Sequence, residues 1–163
     1  YREDNQLPDF EDYSMEGRTY KFINEEPLFP FGYGLSYTEF FYRDLMLDNT
    51  KLQPGQEVAG TVMVRNIGDR QGDEIVQIYL KDDEASVRVP NHKLCFFKRV
   101  SLIPGEETKV AFTIDAEQFM IIKEDGTKEY EPGTFTISAG GCQPELYSEA
   151  LSGSKTICCK VVL

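Results

Sequence analysis

Carboxylates are the most abundant chemically capable side chains in this 163-residue chain: 28 Asp and Glu stand against 17 Lys and Arg, with one histidine, four cysteines and no tryptophan. Two carboxyls about 5 Å apart, one raised in pKa by burial, would make a hydrolytic pair. The densest acidic positions, Asp82, Asp83, Glu84, Glu106, Glu107, Glu124 and Asp125, all fall in turn-like sequence. Carboxylates in such sequence are expected in water rather than in a buried pair. Asp69, Asp73 and the run Asp82-Asp83-Glu84 offer oxygens to calcium, but none follows a recognised loop pattern.

His92 has the chemistry of a general base, yet the serines and cysteines lie at no spacing that would pair a nucleophile with it, and a loop histidine beside Lys93 is expected. Gly32-x-Gly34 is half of a dinucleotide fingerprint. It follows Pro30-Phe31 instead of a strand and precedes no helix start, so it reads as a backbone turn. Cys95, Cys142, Cys158 and Cys159 contain no C-x-x-C pair and have one histidine for company, which leaves no zinc spacing. Free thiols are expected in a chain this size, with Cys158 outward and Cys159 inward on a strand, and unpaired cysteines slightly favour a cytoplasmic setting. No metal or other cofactor is expected.

A net charge of -11, spread along the chain, repels phosphate backbones and anionic lipid, so neither nucleic acid nor membrane is expected as a partner. No apolar stretch approaches the roughly 20 residues of a membrane span. The opening Tyr1-Arg2-Glu3-Asp4 has neither a basic nor an apolar leader region and reads as a boundary or cleavage point, with any targeting signal upstream.

The elements that would position these residues are short strands. From Phe40 onward, period-2 segments alternate with turn residues at intervals of roughly a dozen, the pattern of an all-β sandwich. Val58, Gly60, Val62 and Val64 share one face; Val76, Ile78 and Leu80 alternate with Gln77, Tyr79 and Lys81; Leu94 to Ile103 ends at Pro104-Gly105, with Val110, Phe112 and Ile114 on the expected hairpin partner. Asp115 is an N-cap candidate for one helical turn, Asp125-Gly126 sits in a tight minor hairpin, and Phe135-Ile137-Ala139 and Ile157-Cys159-Val161-Leu163 supply two more strands. With Phe40 to Leu47, that makes about seven strands plus the hairpin. Residues 1–38 differ in kind: Pro8, Pro27, Pro30 and many aromatics run without periodicity, as in an irregular arm that buries its rings only by lying across another surface.

Two stretches carry a resemblance. Gly17-Arg18-Thr19-Tyr20 and Pro30-Phe31-Gly32-Tyr33-Gly34-Leu35-Ser36-Tyr37-Thr38 look like the segment that closes the α/β sandwich domain of family 3 glycoside hydrolases. Asn66-Ile67-Gly68, Gly72 to Leu80, Ala85 to Pro90, Leu94 to Arg99, Pro104-Gly105-Glu106 and Glu131-Pro132-Gly133 are similar to the fibronectin type III-like domain that follows it. The resemblance implies an immunoglobulin or fibronectin type III-like β-sandwich at 39–163 behind a 1–38 tail of the preceding α/β domain. It also implies a β-glucosidase or β-xylosidase parent whose two catalytic carboxylates lie outside this sequence.

The chain alone is therefore expected to be a non-catalytic accessory domain. Its partners would be the barrel and α/β domains of the parent. Suspected interdomain packing residues are Arg18, Tyr20, Phe29, Pro30, Phe31, Gly32, Tyr33, Gly34 and Tyr37. Two other classes compete: a carbohydrate-binding module, since Tyr and Phe faces stack on sugars, and a free-standing interaction scaffold. The Pro and Gly interruptions and the missing tryptophan argue against a flat sugar platform, and sugar binding by this chain alone is not expected.

Overall fold

Residues with two substituents on Cβ, placed at every second position, pack well on a pleated surface and drive the chain into strands. The computed structural model describes residues 9–12 and 16–163. In chain order it has a one-turn helix α1 (Thr19–Phe22), then strands β1 (Phe40–Leu47), β2 (Val58–Asn66), β3 (Gly72–Asp82), β4 (Lys93–Leu102), β5 (Glu107–Ile114), β6 (Met120–Ile122), β7 (Lys128–Tyr130) and β8 (Thr134–Gly140), helix α2 (Leu146–Ser152) and β9 (Ile157–Val162). Three strands form one sheet in the order β1-β2-β5, four form the other in the order β4-β3-β8-β9, and β6-β7 is a separate hairpin. Every pairing between these strands is antiparallel, so the all-β sandwich is as expected.

The inward faces interdigitate into one core. Val58, Val62 and Val64 of β2 face Val76, Ile78 and Leu80 of β3, with Val110, Phe112 and Ile114 of β5 and Phe135, Ile137 and Ala139 of β8 completing the layer, all buried. Burying each of the larger side chains is worth about 1.5–3 kcal/mol, which makes this layer the main source of stability.

Three local outcomes differ from the sequence pattern. Pro104-Gly105 does make a tight turn, with Glu106 N–H donating to Ile103 O at 3.0 Å and Gly105 at φ 77°. The strands it joins, however, are not hairpin partners: β4 pairs with β3, and β5 crosses to the opposite sheet beside β2. That crossing lets both strands turn their apolar faces to the same core. Second, the turn after Asp115 is a 3₁₀ helix, Ala116–Phe119, which the Asp115 side chain does not cap. Third, α2 carries no apolar periodicity long enough to announce it, and Gly153 at φ 72° ends it.

One buried polar residue organises the end of the sandwich nearest the arm. Asn66 is fully buried. Its Nδ2 donates to Arg70 O at 2.8 Å and to Leu102 O at 2.9 Å, while its Oδ1 accepts from Gly68 N–H at 3.0 Å and Thr38 Oγ1 at 2.7 Å. Every hydrogen-bonding site of the amide is thereby used, which is the condition under which a polar side chain can sit in a core. Nearby, Tyr42 Oη donates to Glu74 Oε1 at 2.6 Å, and burial holds the Glu74 carboxyl above its ordinary range.

Candidate interdomain surface

Some of the acidic residues serve their own turn, whereas Asp83, Glu84 and Glu107 are held by other strands, and Glu107 lies in β5 rather than in a turn. Asp82 accepts from Glu84 N–H, Glu84 from Thr134 N–H, Glu106 from Ile103 N–H, and Asp125 from both N–H and Oγ of Thr127. Asp83 accepts from Thr136 Oγ1 at 2.7 Å and pairs with Lys160 at 3.3 Å. Glu107 takes a two-pronged contact from Arg43, both prongs 2.8 Å, and Glu124 is exposed. Asp69 and Asp73 pair with Arg70 and Arg99. Among the described residues no three His, Cys, Asp or Glu side chains converge as metal ligands, and no helix is long and apolar enough to cross a membrane.

His92 is not a bare loop histidine. Its Nε2 lies 3.6 Å from Glu145 Oε1, and its pKa is pushed down to about 4 by burial, with Lys81 adding to the effect. The ring is therefore neutral near pH 7. Burial raises the Cys95 and Cys159 thiols to about 11 and lifts Cys142 as well, all four cysteines are free, and Cys158 is the exposed one, outward beside a partly buried Cys159.

The arm is where the structure concentrates unusual contacts. Tyr33 N–H donates to Pro30 O at 3.1 Å, closing a turn whose third residue, Gly32, has φ 75°. Gly32 is pressed onto the outer face of β3: a Cβ there would stand 2.6 Å from Gln77 Oε1 and 3.2 Å from Tyr79 Oη. Beneath it, Tyr79 donates to Gln77 Oε1 at 2.6 Å, and Gln77 Nε2 donates to Gly141 O at 2.9 Å. Alternation alone puts Gln77 and Tyr79 on the water side of β3, and they do point outward. The arm covers them, leaving 5% and 1% of their surface exposed.

Further contacts tie the arm down. Tyr20 and Phe31 stack with centroids 3.9 Å apart, and Phe29 stacks on Tyr33 at 5.3 Å. Asn91 holds the end of α1 through its N–H to Lys21 O at 2.6 Å and its Nδ2 to Ile23 O at 2.9 Å. Arg88 lies over the Phe22 ring, and Tyr147 Oη reaches Leu28 O at 3.5 Å. Arg18 donates to Asp12 O, and among the described residues its buried Nε has no hydrogen-bond partner.

The suspected packing residues thus divide into two groups. Pro30 is buried, and Gly32 and Tyr20 face the sandwich. Phe29 at 67% and Tyr37 at 91% stay exposed, Phe31 keeps 41% of its surface, and Gly34 lies open beside Leu35 at 83%. The residues that receive the arm, Gln77, Tyr79, Asn91 and Tyr147, were not singled out by the sequence. The one available signal was a Gln and a Tyr at outward positions between the apolar residues Val76, Ile78 and Leu80 of β3.

Residues 74–143 match the family model described as a fibronectin type III-like domain. The sandwich is a fibronectin type III-like domain. The chain is 46% identical over 121 residues to a β-xylosidase of Formosa agariphila, covering 74% of this chain and 17% of that protein. It is 44% identical over 117 residues to the thermostable β-glucosidase B of Acetivibrio thermocellus, covering 71% of this chain and 15% of that one. Among solved structures, a β-glucosidase from Listeria innocua in complex with glucose superposes with a TM-score of 0.71 at 33% identity, over 84% of this chain and 18% of that one. A family 3 β-glucosidase from Bifidobacterium adolescentis does so with 0.65 at 26%, over 81% and 18%. The chain is thus similar to a segment of these β-glycosidases, one of them of family 3, and spans about one sixth of their length.

Proposed function

We propose that the chain is the non-catalytic C-terminal accessory part of a family 3 exo-acting β-glycosidase, with residues 1–38 the tail of the preceding α/β domain and 39–163 the sandwich. Its role is to hold the barrel and α/β domains of the parent in register. The observation that supports this best is the two-sidedness of the arm: Gly32 and Tyr20 contact the sandwich while Phe29, Leu35 and Tyr37 present apolar surface outward. Scattered exposed apolar residues need no explanation, but several on one short segment mark an interaction surface. Rigid positioning matters to a glycosidase because a shift of about 1 Å in a site can cost a hundredfold in rate.

The competing carbohydrate-binding reading is less well served. Two ring pairs of the arm stack on each other, which occupies one face of each ring that a sugar would need. The test is an assay of the purified chain on aryl β-glucosides and β-xylosides, with calorimetric titration by cello- and xylo-oligosaccharides. No turnover above buffer and no saturable heat are expected. Turnover lost on mutating a carboxylate of this chain, or sugar binding abolished by Phe31→Ala or Tyr33→Ala at unchanged thermal stability, would defeat the accessory reading.

A further inference from the structure

The outer face of the β4-β3-β8-β9 sheet is only half covered. Along β3 the outward positions are Asp73, Ile75, Gln77 and Tyr79; the last two lie under the arm, whereas Ile75 keeps 40% of its surface exposed. On β4, Phe97 is the register partner of Gln77 and is 67% exposed, and Arg99 is the partner of Ile75. Phe97 and Ile75 are therefore diagonal neighbours on one face, within reach of each other and immediately beside the seat of Gly32. The cover stops within the Gln77–Phe97 pair, over the first residue and not the second. A concavity of about 350 Å³, lined by Leu35, Phe40, Glu74 and Ile75 among others, meets the patch at Ile75 and leads towards the arm.

We propose that this patch, anchored by Phe97 and Ile75, extends the docking surface from the arm onto the sandwich, and that its occupant is the neighbouring catalytic domain of the parent polypeptide. The inference rests on the accessory reading above. Two observations select this occupant. The relatives are about six times longer than the matched segment, so most of such a polypeptide lies elsewhere. A second copy of this chain is disfavoured because each carries a net charge of -11. The patch is also continuous with Leu35 through the concavity, so one apolar ridge on the neighbour would meet arm and sheet together.

The experiment grafts this chain into the Acetivibrio thermocellus β-glucosidase B in place of its matching segment and measures thermal inactivation half-life alongside the melting of the isolated chain. Phe97→Ser should leave the isolated chain's melting temperature almost unchanged and shorten the half-life of the graft roughly fivefold or more. Leu35→Ser with Tyr37→Ser is the companion variant for the arm. If only the arm variant shortens the half-life, the sheet patch is not a docking surface and the accessory reading survives; if neither does, both fall. Should the graft not fold, hydrogen exchange of the isolated chain mixed with the truncated relative replaces it: slowed exchange at 73–77 and 97–101 is expected, and no slowing overturns the proposal. Dimerisation of the isolated chain that Phe97→Ser abolishes would overturn it in favour of self-association.

Discussion

Thr38 Oγ1 donates a 2.7 Å hydrogen bond to the buried Oδ1 of Asn66, which joins the last residue of the arm to the last residue of β2. Removing the amide would strand the acceptors Arg70 O and Leu102 O and the donors Gly68 N–H and Thr38 Oγ1 together. Asn66→Ala is expected to cost on the order of 3 kcal/mol, because groups left unpaired in the interior bear most of their desolvation penalty. Thr38→Val, which loses one bond, should cost about 1 kcal/mol. Urea unfolding of both variants checks the ratio; equal losses would mean that the Asn66 network is not cooperative.

Gly32 is the point at which the arm touches the sheet most closely. Gly32→Ala places a methyl 2.6 Å from Gln77 Oε1, and its φ of 75° is strained for any L side chain. Gln77 cannot swing aside freely, since it accepts from Tyr79 and donates to Gly141. The arm should lift while the two sheets stay intact, with a loss of about 1–3 kcal/mol. Limited proteolysis within 16–38 is expected to quicken at least severalfold, with the strand pairings unchanged by hydrogen exchange; unchanged proteolysis would show that the seat is dispensable.

Phe31→Ala tests the stacked pair in isolation. The ring lies on Tyr20 at 3.9 Å and 13° but keeps 41% of its surface in water. In the isolated chain the substitution should cost about 1 kcal/mol, the worth of a stacked aromatic pair at a half-exposed site. A loss of 3 kcal/mol or more would mean that the arm is integral to the core rather than laid upon it.

The legible part of this molecule was its core. Val58, Val62 and Val64, or Val76, Ile78 and Leu80, declare a strand and its buried face because burial of one face repeats with the two-residue period of the backbone. Strand partners were less legible: the same Pro104-Gly105 turn serves a hairpin or a crossing between sheets, and which occurs depends on the register of β2 with β5. The surface was partly legible. Gly32 and its aromatic neighbours stood out by composition, but their seat on Gln77 and Tyr79 is a contact between segments some 45 residues apart that no local period encodes. His92 likewise gave no sign of its partner, Glu145, which lies on a segment whose short helix was not anticipated.

That pair yields a pH prediction. His92 sits where the two segments that hold the arm meet: Asn91 beside it binds α1, and Tyr147, two residues past Glu145, binds Leu28. The groups around the imidazole are Lys81, Asp83 and Glu145, with Gln143 donating to Glu145 Oε1 at 2.8 Å. The folded pKa of about 4 lies below the ordinary 6.5, so as pH falls the unfolded chain binds the proton first. The contribution of His92 is thus complete above pH 6.5, declines as acid is added, and is gone by about pH 4. Discounted for the part of the ring that water still reaches, the loss is about 2 kcal/mol. Glu145 acts in the opposite sense, since burial raises its carboxyl and favours the folded state as it protonates, so the net slope is the difference between the two contributions. His92→Gln removes the imidazole and leaves Glu145 in place. Urea midpoints measured from pH 7 to pH 4 should therefore fall more steeply for the wild type than for this variant. Parallel curves would show that His92 titrates in the folded chain much as it does in the unfolded one, and that the junction beneath the arm is open to water.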